Sequence, residues 1–366
     1  MIEAEEPVSG AALHVFARNP IFRQSALLLL CFLGCLPHGV AQQPQSAAGA
    51  AEPSGDLVAV RLLIDKGHAA DALKQLDQMA LQKPEPAGVE RLRGVALYAQ
   101  NDIAGADRAF AAALQQDSKD VEAAQMRGLT LYRLGKPVET IALLEGMQQW
   151  APTTRVDPSY ILALCYMDVH HYDDARHAFA RQYGFEADSA PAYLLTARML
   201  MRRQNLQSAQ EFARKALALN PQMPLAHLLL GEIALGSEQP AEALAEFEKE
   251  SVQNPLYGPI YDRLGDAYER VGEYQKAQQA LQRALLLEPS TTGPLILLGE
   301  VLLKRQDPAS AATYLERAEK MDPGNYMIHN LLGQAYKSMG RSEDAARENT
   351  LTQNAKRAQS DPAPKQ

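Results

Sequence analysis

The chain has 366 residues, 46% of them apolar but only 6% aromatic, and a net charge of −8 with an isoelectric point near 5.6. Alanine and leucine dominate the apolar set, which disfavours a β-sandwich, where valine, isoleucine, threonine and aromatics fit better. The acidic balance argues against a polyanion-binding protein, which normally shows a basic face.

At the start, Arg18 and Arg23 precede an apolar run of eleven residues, Ala26 to Leu36, and Gly39-Val40-Ala41 follows. A basic region, a short apolar region and a small-residue site in that order predict a secretory signal peptide over 1–41, cleaved after Ala41. Eleven residues are too few to cross a bilayer as a helix, which needs about 20. A buried core helix fits poorly, because polar, Pro-rich sequence follows. The basic region is long, so a start further downstream, for instance at Val15, is expected. Phe32-Leu33-Gly34-Cys35 also resembles a bacterial lipobox with Phe where Leu is usual, and lipidation of Cys35 is the alternative fate and the expected route to a membrane. Either way the chain is expected to be exported, to the periplasm or the cell exterior. Removing the leader takes Cys31 with it. Cleavage after Ala41 leaves Cys165 as the one thiol, so no internal disulfide can form. Small and polar residues over 42–52 predict a flexible tether.

From residue 53 the chain repeats. Gly265 recurs in steps of 34 as Gly299 and Gly333 going forward, and as Gly231 and Ala197 going back. One extra residue near Thr153 shifts the phase, and the series continues through Ala163, Gly128 and Gly94. Ala277 recurs in the same register with Thr140 as the exception, and Pro289 with Ala187 and Ser118 as exceptions. Nine copies starting at 53, 87, 121, 156, 190, 224, 258, 292 and 326 cover 53–359 and leave a loose tail at 360–366. A fixed period of this length predicts a solenoid. Each copy divides into two amphipathic helices. Tyr261, Leu264, Gly265 and Tyr268 share one face of the first, and Ala277, Leu281 and Ala284 one face of the second. Gly272 permits the turn between them and Pro289 stops the second helix. Phe110, Phe179 and Phe247 recur at one bulky place, and Tyr166, Tyr268 and Tyr336 at another. In the last copy Asn349, Thr352, Gln353, Asn354, Lys356 and Arg357 are polar where a following copy would stack, as an end cap requires.

This 34-residue unit, with Gly/Ala, Tyr/Leu, Gly, Ala, Phe/Leu, Ala and Pro at these places, resembles the tetratricopeptide repeat over about five-sixths of the chain. The resemblance is strongest from Ala190 to Pro323 and weakest in the first copy, which has Val60 at the Gly/Ala place. It implies an all-α, right-handed solenoid whose concave wall is made by the first helix of each pair, and a binding scaffold. Some members clamp a chaperone's C-terminal carboxylate with Lys and Asn on that wall. The matching places here hold Asp262 and Asp266, and Asn330 and Gln334, so no such clamp is expected.

Catalytic motifs are missing: no HExxH, GxSxG or EF-hand loop occurs. Gly128 to Lys136 has the wrong spacing for a phosphate loop and Pro137 in place of its Ser or Thr. "HHYDDARH" (170–177) offers His170, His171, Asp173, Asp174 and His177, but the two leading histidines fall in a turn and the aspartates where a helix start favours acids. Cys165 is expected to be buried and inert, and Trp150 to pack beside the insertion.

The expected binding surface is the stripe of the first helices opposite their packing face. Its apolar part runs through Val95, Tyr98, Leu129, Tyr132, Tyr160, Leu164, Met167, Leu194, Met201, Leu228 and Leu235, interrupted by Arg91 and Arg198. Its acidic part has Glu232, Asp262, Asp266, Glu269 and Glu300. Tyrosine supplies contact area with a polar tip, and methionine adapts to irregular partners. The expected function is a non-catalytic scaffold in the cell envelope that binds protein or extended peptide, with no cofactor, metal or nucleic acid. Two alternatives stay open: an envelope polysaccharide or peptidoglycan binder whose tyrosines stack on sugar rings, and an enzyme, for which no nucleophile–base pair or ligand cluster is visible. The sequence sets no oligomeric state.

Overall fold

The computed structural model describes residues 55–151 and 157–360. The expected signal peptide with Cys31 and Cys35, the tether, the insertion near Thr153 and residues 361–366 lie outside the described residues.

Among the described residues there are eighteen α-helices and no strand, arranged as nine successive pairs. The pairs are α1 (Gly55–Asp65) with α2 (Ala69–Met79), α3 (Val89–Ala99) with α4 (Ile103–Gln116), and α5 (Val121–Arg133) with α6 (Pro137–Trp150). Next come α7 (Ser159–Asp168) with α8 (Tyr172–Tyr183), α9 (Ala190–Arg202) with α10 (Leu206–Leu219), and α11 (Ala226–Gly236) with α12 (Pro240–Gln253). The last three are α13 (Gly258–Arg270) with α14 (Tyr274–Leu287), α15 (Gly293–Lys304) with α16 (Pro308–Met321), and α17 (Tyr326–Ser338) with α18 (Ser342–Ser360). No described helix is long and apolar enough to cross a membrane.

Local chemistry sets the ends. Asp102, Asp120, Asn205 and Asp307 each accept a backbone N–H three residues on, capping α4, α5, α10 and α16. Asn220, Asn254, Glu288 and Asp322 end second helices with φ between −141° and −127°, each directly before a proline that excludes the helical conformation there. Between the helices of every pair one residue has positive φ: Gly67, Asn101, Gly135, His170, Gln204, Glu238, Gly272, Gln306 and Gly340. The turn thus has one geometry throughout, with or without glycine.

Each helix packs on the next, and first helices also lie against the first helices of neighbouring pairs more closely than second helices do. The stack therefore bends toward its first helices, whose outward face is the inner wall. The fold is an all-α solenoid of helix pairs.

The recurring glycine makes room for one particular side chain of the partner helix. A Cβ on Gly265 would lie 2.5 Å from Leu281, sixteen residues on in the partner helix. The same clash recurs between Gly94 and Phe110, Gly128 and Leu144, Gly231 and Phe247, and Gly299 and Leu315. Each glycine is the seat for a bulky side chain, and Phe110, Leu144, Phe247, Leu281 and Leu315 are all essentially fully buried. The dispersion and burial gained outweigh the roughly 1 kcal/mol that a mid-helix glycine costs.

The end of the stack differs in part from expectation. Asn349, Gln353, Asn354, Lys356 and Arg357 are exposed. Thr352 is not: it is buried and its hydroxyl donates to the Glu348 carbonyl, because α18 folds this face onto its own pair.

Candidate functional site

The first-helix wall has two unlike parts. In the apolar part, Tyr98, Leu129, Tyr132, Leu164, Arg198 and Met201 are half-buried, and Tyr160 is exposed. Tyr160 and Phe179 make an edge-to-face pair, ring centroids 6.2 Å apart, so the exposed Tyr160 ring is braced on one side by a buried ring. The Arg133 guanidinium lies 4.9 Å from the Tyr98 ring centroid and holds that ring in place. Burial, and then Asp168, push the Tyr132 phenol above its ordinary range. Val95 and Leu235 are half-buried as well. Met167 and Leu194, expected on this wall, are instead core residues at 2% and 7% exposure, as is Leu228. They sit at the edge of the stripe, where the neighbouring helices close over them.

The acidic part is laced with cations. Glu232 accepts from Arg263 Nε at 3.1 Å, and Asp266 from Arg270 Nε at 2.7 Å. Lys304 bridges Glu269 and Glu300, the latter at 3.1 Å. Four of the five expected carboxylates are therefore answered, and the part is charged rather than simply acidic. Asp262 is the exception: among the described residues it has no ion-pair partner within 4.0 Å. Burial holds its carboxyl above the usual range, with Asp266 and Glu288 adding to the effect and Arg263 opposing it. The cross-repeat rungs, Arg263–Glu232 and Lys304–Glu269, join one first helix to the next, as Arg203–Asp168 does at 2.5 Å. Sequence reading found Glu232 and Glu269 but missed Asp168 and the three cations, whose signal was a cation 31 to 35 residues after an acid.

A family model described as a tetratricopeptide repeat-like domain matches residues 163–298, and one described as the tetratricopeptide repeat matches 57–120 and 296–349. The chain belongs to the tetratricopeptide-repeat family. A model for subunit 3 of the anaphase-promoting complex, or cyclosome, matches residues 98–182. This tetratricopeptide protein is 24% identical over 194 residues to anaphase-promoting complex subunit 3 of Schizosaccharomyces pombe, covering 53% of this chain and 29% of that one. It is 24% identical over 290 residues to cellulose synthase operon protein C of Xanthomonas axonopodis pv. citri, covering 75% of this chain and 17% of that one. It thus spans less than a third of either relative. Among solved structures, it is similar to MamA (22% identity, TM-score 0.43, 45% of this chain and 96% of that one). It is also similar to YrrB, described as a TPR protein with an unusual peptide-binding site (22% identity, TM-score 0.44, 50% and 93%).

Elsewhere in the tetratricopeptide array, the "HHYDDARH" side chains do not converge. His170 Nδ1 meets the Tyr172 hydroxyl at 2.7 Å, His171 lies 3.5 Å from Asp174, and His177 Nδ1 bonds the Asp173 carbonyl. Cys165 is buried, and burial pushes its thiol up to about 11, so little thiolate exists near neutrality. Trp150 is half-buried and lines a shallow cleft with Leu114, Ala142, Leu143 and Met147, formed largely by second helices and away from the wall. Among the described residues, the side chains able to converge on one metal ion are Glu319, His329 and Glu348. Sequence reading passed them over. The available signal was a His–Glu pair nineteen residues apart that occurs at the same repeat place twice, as His227–Glu246 and His329–Glu348.

Proposed function

We propose that this protein is a non-catalytic scaffold that works outside the cytoplasm and holds an extended protein segment along its first-helix wall. The observation that carries the reading is the run of partly exposed, braced aromatic and aliphatic side chains on that wall: Tyr98, Leu129, Tyr132, Tyr160, Leu164 and Met201. Braced tyrosines lose little conformational freedom on binding, which favours their use as anchors. The segment's apolar side chains would meet these residues. A basic side chain further along would meet Asp262, which has no ion pair among the described residues, while Glu232, Asp266, Glu269 and Glu300 keep their cations. Similarity to a subunit of a multiprotein complex is in keeping with a scaffold. The Arg18-to-Ala41 pattern supports export.

The test is selection of displayed peptides against the chain, followed by calorimetry. Tyr132→Ala and Tyr160→Ala should each weaken the selected peptides by about 1–2 kcal/mol with helix content unchanged. Asp262→Asn should mainly slow association with peptides that carry a basic residue. Selected peptides that bind both tyrosine variants with unchanged affinity would sink the wall reading. The polysaccharide reading is kept in view by the similarity to a cellulose synthase operon protein, and an affinity for glycan strands lost on Tyr160→Ala would replace the peptide with a sugar polymer.

A further inference from the structure

His329 is 3% exposed and Glu348 2%, so this pair lies inside the protein. The Pro323 carbonyl oxygen can only accept, so His329 Nε2, 2.9 Å from it, is the donor nitrogen. Nδ1 therefore carries the lone pair of the neutral ring. It faces Glu348 Oε2 at 2.8 Å and Glu319 Oε1 at 3.8 Å. Three electron-pair donors from three helices, α16, α17 and α18, converge on a small volume, all within 4.8 Å of one another. Acceptors facing acceptors need a proton or a metal ion between them.

The sixth pair shows what the arrangement looks like when the cations come from the protein. There His227 Nδ1 meets Glu246 Oε2 at 2.6 Å, and Lys249 Nζ reaches the other Glu246 oxygen at 2.7 Å. The place of Glu319 is taken by Leu217, and that of Lys249 in the last pair by Leu351. The site at the last pair thus has one carboxylate more, from the eighth pair, and the lysine less. Arg347, largely exposed and shared with Asp344, touches Glu348 at 3.4 Å. A proton on His329 balances one of the two carboxylates that face it. Its pKa is raised: burial works against the charged ring, and the Pro323 carbonyl with Glu348 and Glu319 outweighs it.

The geometry points to a divalent metal site of the zinc class at Glu319, His329 and Glu348, joining the eighth helix pair to the ninth. One histidine and two carboxylates suit such an ion, and the second imidazole nitrogen bonded to a carbonyl is the usual arrangement behind a metal-bound histidine. Bond lengths of about 2.0–2.2 Å place tetrahedral ligands some 3.3–3.6 Å apart. The observed separations bracket that, so small side-chain rotations suffice. Glu319 is half-exposed, which leaves an entry path and a fourth position for water.

Chelator-treated full-length protein should be titrated with zinc by calorimetry and with cobalt by visible absorption. One equivalent should bind, cobalt should give tetrahedral d–d bands, and the melting temperature should rise. Glu319→Gln, a change at a half-exposed site that leaves helix content intact, should weaken binding by at least about tenfold, since loss of even an outer-shell partner costs 10–100-fold. Glu246→Gln in the sixth pair should leave the titration unchanged. Absence of stoichiometric binding would overturn the proposal. So would zinc binding that survives in Glu319→Gln and His329→Gln, which would assign the ion to other histidines.

Discussion

The interior pairs and the last pair solve the same crossing differently. In the seventh pair, Gly265 seats Leu281, and the leucine is fully buried because the next pair covers it. In the last pair Gly333 faces Asn349, whose Oδ1 would stand 3.1 Å from a Cβ there, and Asn349 is exposed. Around it His329, Glu348 and Thr352 are buried polar residues. The bulky residue of an interior pair is thus held from two sides, by its own glycine and by the following repeat. Where no described repeat follows, the apolar plug is replaced by a polar side chain, and order passes to a hydrogen-bonded network. The glycine persists in both settings, but its seat is filled by a large apolar side chain only in the interior.

The largest effect should come from emptying an interior seat. Phe247→Ala removes a fully buried ring over Gly231 and should cost about 3–5 kcal/mol. Asn349→Ala at the matching place should stay within about 0.5 kcal/mol, as for an exposed substitution. A long repeat array need not unfold in two states, so the measurement is native-state hydrogen exchange in α11 and α12 against that in α17 and α18. Equal losses of protection at both ends would break the comparison.

Adding a methyl to the glycines should reverse sign between the two settings. In Gly265→Ala the new Cβ meets Leu281 Cγ and Cδ2 at 2.5 Å, and Cγ cannot swing aside without moving the whole side chain. Overpacking of this kind costs about 1–3 kcal/mol. In Gly333→Ala the contact is with the free end of an exposed asparagine. Asn349 can turn away, and the helix gains up to about 1 kcal/mol in propensity. Chemical denaturation of the two variants beside the parent decides it. A destabilised Gly333→Ala would mean that the asparagine is a fixed part of the terminal network.

Much of this was legible because it is local and periodic. The period, the glycine–alanine places and the proline stops follow from residue type at fixed spacing, and the paired helices appear at those places. The left-handed turn at His170, Gln204, Glu238 and Gln306 was not legible residue by residue. It shows only in register with Gly67, Gly135, Gly272 and Gly340. Met167 and Leu194 were read as wall residues because helical periodicity gives a face but not how far the next helix closes over its edge. The ion pairs Arg263–Glu232 and Lys304–Glu269 depend on the stagger between successive pairs, which no single copy encodes. Glu319, His329 and Glu348 come from three helices and meet only after packing.

The smallest effect concerns what the last pair shares with the interior. Tyr166, Tyr268 and Tyr336, read from the sequence as recurring bulk, each donate a phenolic hydrogen to the second helix of the preceding pair: to Glu145, to Glu248 at 2.7 Å and to Glu316 at 2.9 Å. Burial first, and then Glu316, push the Tyr336 phenol up to about 12, while Arg341, stacked 4.2 Å from the ring centroid, works the other way. Tyr166 and Tyr268 are pushed up further, for the same two reasons in the same order. A tyrosine whose folded pKa lies above its unfolded value of about 10 stabilises the fold fully below that pH. As pH rises from about 10 through the folded value, the unfolded chain gives up its phenolic protons first, and the contribution is lost. Tyr336→Phe removes the titrating group together with the hydrogen bond. It should cost about 1 kcal/mol near neutral pH, where the acceptor stays partly solvated. Melting temperatures followed from neutral to strongly alkaline pH should show a shallower alkaline decline in Tyr336→Phe than in the parent. An unchanged alkaline slope would mean that the Tyr336–Glu316 bond does not couple the last pair to the eighth, and that the two are joined by the apolar packing of Ile328, Leu332 and Ala335 against α15 and α16.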